Sequence, residues 1–142
     1  MSGIIGGAGS KSGVIGTTEI DYEEGTWTPT ITGGTFTKTQ QSANYIKVGK
    51  LVTITSYWEG NNNGDATGLE VGGLPFTSKG NNTYTLGCLN YSVSNSGETA
   101  DCTVRVVPSN TTLYFSRNPQ ESLPQTSIDA AHFIFSLTYF SA

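Results

Sequence analysis

The nine residues from Leu51 to Glu59, which read Leu-Val-Thr-Ile-Thr-Ser-Tyr-Trp-Glu, decide the class of fold. Successive side chains of a β-strand point to opposite faces of the sheet, so every second residue shares a face. One predicted face carries Val52, Ile54, Ser56 and Trp58, and the other carries Leu51, Thr53, Thr55 and Tyr57. The segment therefore predicts the long central strand of a sheet. Just before it, Gly49-Lys50 predicts a tight turn back to a strand over Asn44 to Val48.

The predicted last strand, His132 to Ser141, carries bulky residues on both faces. Phe133, Phe135, Leu137 and Tyr139 share one face, and Ile134 and Phe140 share the other. We expect the first face to fill the core. The second face also needs cover, either from a loop or from another subunit, because contiguous apolar patches are uncommon on soluble monomers.

Short strands separated by turn residues fill the rest of the chain. Thr26 to Thr32 predicts a strand at an edge or a bulge, because Pro29 has no N–H to donate. Thr83 to Val93 and Thr99 to Val107 predict a hairpin, and Thr111 to Ser116 predicts a further strand. Eight or nine strands of this kind are typical of an all-β, antiparallel β-sandwich of the jelly-roll type.

Composition excludes several classes of function. The 142 residues predict one domain, and the charged residues, at 13%, are too few for the surface of a helical bundle. A net charge of −4 argues against a nucleic-acid partner, since phosphate binding needs clustered Lys and Arg. With a single His, the chain offers few side chains suited to acid–base catalysis. No apolar run reaches the roughly 20 residues of a membrane helix.

Residues 1–18 differ from the remainder, because they are rich in glycine and contain no aromatic residue. Two pairs of apolar residues, Ile4-Ile5 and Val14-Ile15, each lie between glycines, and we call each pair an apolar plug. Such a segment cannot form its own core, which leaves a disordered terminus or an arm docked on a partner. We divide the chain into an N-terminal anchoring arm, residues 1–18, and a β-sandwich knob, residues 19–142.

Four short motifs resemble, in order and approximate spacing, a segment common in bacteriophage tail fibres and other virion surface proteins. They are Asp21-Tyr-Glu-Glu-Gly-Thr-Trp-Thr-Pro-Thr-Ile31, then Tyr45 to Val52 with the pattern Tyr-x-Lys-Val-Gly-x-Leu-Val, then Gly73-Leu-Pro-Phe76, and the aromatic end Thr138 to Ala142. The resemblance implies a compact β-sandwich module, often trimeric, at the periphery of a phage particle. It implies no catalytic residue and no cofactor. Residues 1–18 show no collagen-like, coiled-coil or β-helical pattern of a fibre shaft, so we expect a small protein placed directly on the particle.

These observations predict a non-enzymatic virion structural protein, made in the host cytoplasm and displayed at the virion surface. The preferred hypothesis is a homotrimeric capsid decoration or cement protein held by its arm; the alternative is a tail-fibre tip that binds a host surface glycan. No nucleic acid, membrane insertion, metal or cofactor is expected. The predicted anchoring residues are Ile4, Ile5, Val14 and Ile15, and the predicted oligomer interface is Phe133, Ile134, Phe135 and Phe140. The candidate glycan-stacking residues are Trp27, Trp58 and Tyr57, because aromatic rings offer an apolar face with a polar handle.

The two cysteines, Cys88 and Cys102, lie on the two arms of the predicted hairpin. Its turn at Asn95-Ser96-Gly97 contains their midpoint, so the two thiols are expected to face each other. A cytoplasmic assembly pathway disfavours oxidation. We therefore predict neighbouring, reduced and buried thiols.

Overall fold

A computed structural model of the chain describes residues 21–33, 35, 37–61, 67–81, 84–91, 102–117 and 131–142. These residues form nine strands and no helix. The strands are β1 (Tyr22–Thr26), β2 (Thr30–Gly33), β3 (Thr37–Val48), β4 (Leu51–Asn61), β5 (Glu70–Gly72), β6 (Thr85–Tyr91), β7 (Cys102–Val106), β8 (Leu113–Arg117) and β9 (Ala131–Phe140). The all-β class is confirmed. The predicted arm, residues 1–18, lies outside the described residues.

All nine strands belong to one antiparallel sheet with the order β1-β3-β4-β9-β6-β7-β8-β5-β2. β1 and β2 thus lie at opposite edges, although only residues 27–29 separate them in sequence. Four Cα steps reach at most about 14 Å. The two edges of the sheet must therefore approach each other, so the sheet curls. Two separate sheets, as a sandwich or jelly roll would have, are not observed.

The core lies inside this curl. Trp58 on β4 stacks on Phe133 of β9, with 4.2 Å between the ring centroids, and meets Phe115 of β8 edge-on at 6.2 Å. β4 and β8 are four strands apart in the sheet, which would be about 19 Å across a flat surface. Contact between Trp58 and Phe115 therefore requires the curl, and burial of these aromatic rings stabilises it.

The predicted faces of the two long strands are confirmed. On β4, Val52, Ile54, Ser56 and Trp58 are buried, and on β9, Phe133, Phe135, Leu137 and Tyr139 are buried. Their neighbours in sequence point away from the core. The strand predicted over Thr26 to Thr32 is instead interrupted at residues 27–29, where Trp27 and Pro29 are buried between the two edges of the sheet.

The predicted pairing of Cys88 and Cys102 is wrong. β6 and β7 do pair as a hairpin, but Cys88 lies opposite Thr103, one residue away from the expected register. A shift of one residue moves a side chain to the other face of the sheet. Cys88 is also exposed and free rather than buried.

Candidate functional site

The outward-facing side of five neighbouring strands, β1, β3, β4, β9 and β6, is the candidate interaction surface, and we call it the outer face. Directly paired residues of antiparallel strands share a face, so the strand registers arrange the outer face in rows. The first row is Tyr22, Val48, Leu51 and Phe140; the second is Glu24, Ile46, Thr53 and Thr138; the third is Thr26, Asn44, Thr55, Ser136 and Cys88. Ser42, Tyr57 and Ile134 form the fourth row, and Glu59 and His132 lie in the fifth.

The first row is apolar and open to solvent. Its side chains are between 41% and 58% exposed, and they lie next to one another across four strands. The Gly49-Lys50 turn places Val48 opposite Leu51, and Leu51 pairs in turn with Phe140. We call these four residues the apolar row.

A shallow groove of about 240 Å³ lies further along the same face. Four residues with hydroxyl or amide side chains, Ser42, Asn44, Thr55 and Ser136, line it together with Ser56, Tyr57, Ile134 and Phe135. Hydrogen-bonding groups around an aromatic ring are suited to a small polar ligand with one apolar face, such as a sugar. None of the described residues that line the groove carries a charge.

Tyr57, Glu59 and His132 form a hydrogen-bonded cluster beside this groove. The Tyr57 hydroxyl donates to Glu59, and His132 Nδ1 lies 3.2 Å from Glu59 Oε1 and 3.3 Å from the Tyr57 hydroxyl. The hydrogen bond to Glu59 raises the pKa of Tyr57, with further contributions from desolvation and from the carboxylate charge. The cluster therefore fixes the Tyr57 side chain at the end of the groove.

Two segments that carry the resemblance to virion proteins pair with each other as β1 and β3. Lys47 forms an ion pair with Asp21, with 2.5 Å between Nζ and Oδ2, and its Nζ lies 5.3 Å from the Phe76 ring centroid. The Tyr45 hydroxyl donates to Glu23 at 2.6 Å, which raises the pKa of Tyr45. These motif residues hold the edge of the sheet together, so their contacts give the motif a structural role.

Of the four predicted interface residues, two face outward. Ile134 and Phe140 are 39% and 49% exposed, whereas Phe133 and Phe135 are buried in the core of the same chain. Because one face of β9 points to the core and the other to solvent, only Ile134 and Phe140 of these four residues can contact another subunit. The predicted anchoring residues, Ile4, Ile5, Val14 and Ile15, lie outside the described residues.

Of the three candidate stacking residues, only Tyr57 reaches the surface. Trp58 is completely buried, and Trp27 is buried with its indole N–H directed to the Thr55 carbonyl. Both tryptophans fill the core, so they cannot lie flat against a sugar. Tyr57 lies in the groove, directly opposite Ile134.

Sequence reasoning did not identify Tyr22, Val48 and Leu51 as members of one surface. The two-residue turn at Gly49-Lys50 could have placed Val48 beside Leu51, since such a turn sets the hairpin register. Adding Tyr22 and Phe140 requires the order of the strands, which no local pattern contains. The same is true of Asn44, Thr55 and Ser136 in the groove.

Within the described residues, no three His, Cys, Asp or Glu side chains are grouped closely enough to hold a metal ion. None of the described segments forms a helix that could span a lipid bilayer.

Comparisons with protein-family models, with curated proteins and with solved structures give no match to this chain.

Proposed function

We propose that this chain is a non-enzymatic structural protein of a phage virion, and more specifically a capsid decoration or cement protein. In this proposal the curled sheet is the knob, and residues 1–18 are the arm that attaches it to the capsid. The protein is made in the host cytoplasm and ends on the virion surface.

The observation that supports this proposal is the composition of the outer face. Among its described residues, Glu24 and Glu59 are the only carboxylates, and both accept hydrogen bonds from neighbouring tyrosines. Most other positions are Thr, Ser or apolar side chains. Solvent-facing protein surfaces usually carry about 25–35% charged residues, so a face of this kind is suited to contact with protein.

The curled sheet supports a jelly-roll-like classification. Because β8 packs over β4 and β9 through Phe115, two halves of the sheet face each other across one core. This facing arrangement supports the proposed jelly-roll-like architecture, although all nine strands belong to one sheet. We propose a homotrimer of such knobs, in which the outward-facing Ile134 contributes to the contact between subunits.

Labelling of intact particles tests the location. Antibodies against the purified full-length chain, bound to gold, would be imaged on particles of the virus that encodes it. The proposal predicts label distributed over the capsid. Label confined to tail tips would favour the alternative function, and particles without label would contradict a virion role. Sedimentation of the chain should give a trimer, and a monomer at micromolar concentration would contradict that part.

The groove supports the alternative function, a tail-fibre tip that binds a host surface glycan. It combines the Tyr57 ring with hydroxyl and amide side chains, and its described lining residues are uncharged, which fits a neutral sugar. On an array of bacterial surface glycans, Tyr57→Ala should abolish any binding that the wild-type chain shows. Tyr84→Ala is the matched control, because Tyr84 is 61% exposed and lies outside the groove. Equal loss with both variants would contradict a site at the groove.

A further inference from the structure

The apolar row is an exposed surface of defined shape. Tyr22, Val48, Leu51 and Phe140 lie side by side on β1, β3, β4 and β9, with Ile46 in the next row at 46% exposure. Four strands span about 14 Å from the first to the last, because neighbouring strands lie 4.7–4.9 Å apart. The row is therefore a narrow apolar strip that crosses the strands.

The N-terminal segment joins the sheet at this strip. Tyr22, the first member of the row, is also the first residue of β1. Asp21, just before it, accepts a backbone hydrogen bond from Gly49 at 2.6 Å, at the turn that connects Val48 to Leu51. Residues 1–20 thus leave the sheet from one end of the apolar row.

The apolar plug closest to the sheet is long enough to cover the row. Ile15 lies six residues before Asp21 in sequence, and six extended Cα steps reach about 20 Å. That distance exceeds the 14 Å width of the row. Val14 and Ile15 can therefore contact any of its members.

The exposed area of the apolar row is better matched to a short segment of chain that packs on it than to an interface with a whole subunit. Aromatic side chains bury 150–250 Å² when fully covered, so these four half-exposed residues together with Ile46 offer roughly 300–400 Å². A stable interface between two proteins buries about 800 Å² on each partner. The strip is too small for such an interface alone, whereas two aliphatic residues flanked by glycines match it in width.

We propose that Val14 and Ile15 pack on the apolar row of their own chain in the free protein. A segment tethered six residues away has an effective concentration in the millimolar range, which favours the chain's own plug over that of a neighbour. The distal plug, Ile4-Ile5, is a further 10 residues away and stays available to bind the capsid. The packing of Val14 and Ile15 does not depend on the proposed virion function, because it concerns the free chain.

Trypsin cleavage after Lys11 measures whether the plug is bound. Lys11 is the first site for trypsin, and the next is Lys38. In the full chain, Leu51→Thr should raise the cleavage rate at Lys11 at least threefold, since it removes an apolar contact and keeps a strand-forming residue. Leu86→Thr is the matched control, because Leu86 is 69% exposed on β6 outside the row, and it should leave the rate unchanged. Equal rates for the wild type and both variants would overturn the proposal.

A disulfide trap identifies which chain supplies the plug. In a full chain with Cys88→Ser and Cys102→Ser, the pair Ile15→Cys and Val48→Cys should oxidise to a product with the mobility of a monomer. Ile15→Cys with Thr37→Cys is the control, because Thr37 lies 11 residues from Val48 along β3, about 36 Å away and beyond the reach of Ile15. A dimeric product, or equal oxidation of the control pair, would overturn docking within one chain. Particles play no part in either test, so a negative result here leaves the virion proposal to be judged by gold labelling.

Discussion

Gly73→Ala should destabilise the fold much more than Gly49→Ala. The difference between the two losses of unfolding free energy reports the close contact of Gly73 with Thr28, where the two edges of the curled sheet meet. Both glycines have positive φ, +87° at Gly73 and +59° at Gly49. A side chain in such a conformation costs about 1 kcal/mol. At Gly49 a Cβ would have no neighbour within 4 Å, whereas at Gly73 it would overlap the carbonyl oxygen of Thr28.

The overlap lies where the connection between the sheet edges meets the end of β5. Thr28 belongs to residues 27–29, which join β1 to β2. A shift of its carbonyl group away from Gly73 would therefore move the two edge strands of the sheet. Forcing an extra methyl group into a packed site costs about 1–3 kcal/mol. We therefore expect Gly73→Ala to lower the free energy of unfolding by about 3 kcal/mol, and Gly49→Ala to lower it by about 1 kcal/mol.

Urea denaturation at 25 °C is the assay. With a slope of about 2 kcal/mol/M, the midpoint should fall by about 1.5 M for Gly73→Ala and by about 0.5 M for Gly49→Ala. The slope itself should not change. Equal midpoints for the two variants would refute the close approach of Gly73 to Thr28, and with it the closure of the curl at this point.

Three further predictions concern the core, the pH dependence and the free thiol. Trp58→Ala should lower the free energy of unfolding by about 3–5 kcal/mol, because it leaves a cavity between Phe133 and Phe115. Tyr84→Ala at the surface should change the free energy of unfolding by less than about 0.5 kcal/mol. Comparable losses in the two variants would contradict the assigned core. Burial raises the pKa of Tyr139 to about 12, above its ordinary value of 10.0, so the unfolded chain loses this proton first and stability should fall as the pH rises from 10 to 12. Tyr139→Phe should reduce that fall in a denaturation series across this range, and an unchanged fall would show that Tyr139 ionises equally in both states. Cys88 is free and exposed, so Cys88→Ser should remove the fast phase of thiol labelling in the native protein, and a fast phase that persists would place the reactive thiol elsewhere.

The faces of the long strands could be predicted because the alternation of a strand is local. Val52 to Trp58 and Phe133 to Tyr139 carry a period of two that needs no knowledge of the partner strands. The register of the β6–β7 hairpin could not be predicted in the same way, since the register depends on the conformation of the turn between the two strands. An error of one residue there sufficed to separate Cys88 from its expected partner.

The curl and the outer face could not be predicted, because both depend on the order of the strands. Pro29 indicated one strand at an edge or a bulge, whereas the strand is interrupted there, and nothing in the neighbouring sequence reveals that Thr26 and Thr30 lie on opposite edges of one sheet. The predicted interface included Phe133 and Phe135, although the alternation of β9 places both on its core face. Their contacts with Phe115 on β8 show which distant strand completes that core.

The number of copies bound per particle shows whether the chain is a particle protein held by its N-terminal arm. Full-length wild-type chain and the variant Ile4→Ser with Ile5→Ser would be added to particles that lack the protein, and the bound copies would be counted by quantitative mass spectrometry after gradient purification. Tyr57→Ala serves as a control that alters the groove and leaves the arm intact. We expect full occupancy for the wild type and for Tyr57→Ala, and loss of at least nine-tenths of the bound copies for the arm variant. Full occupancy by the arm variant, or loss with Tyr57→Ala alone, would show that the arm does not hold the chain on the particle.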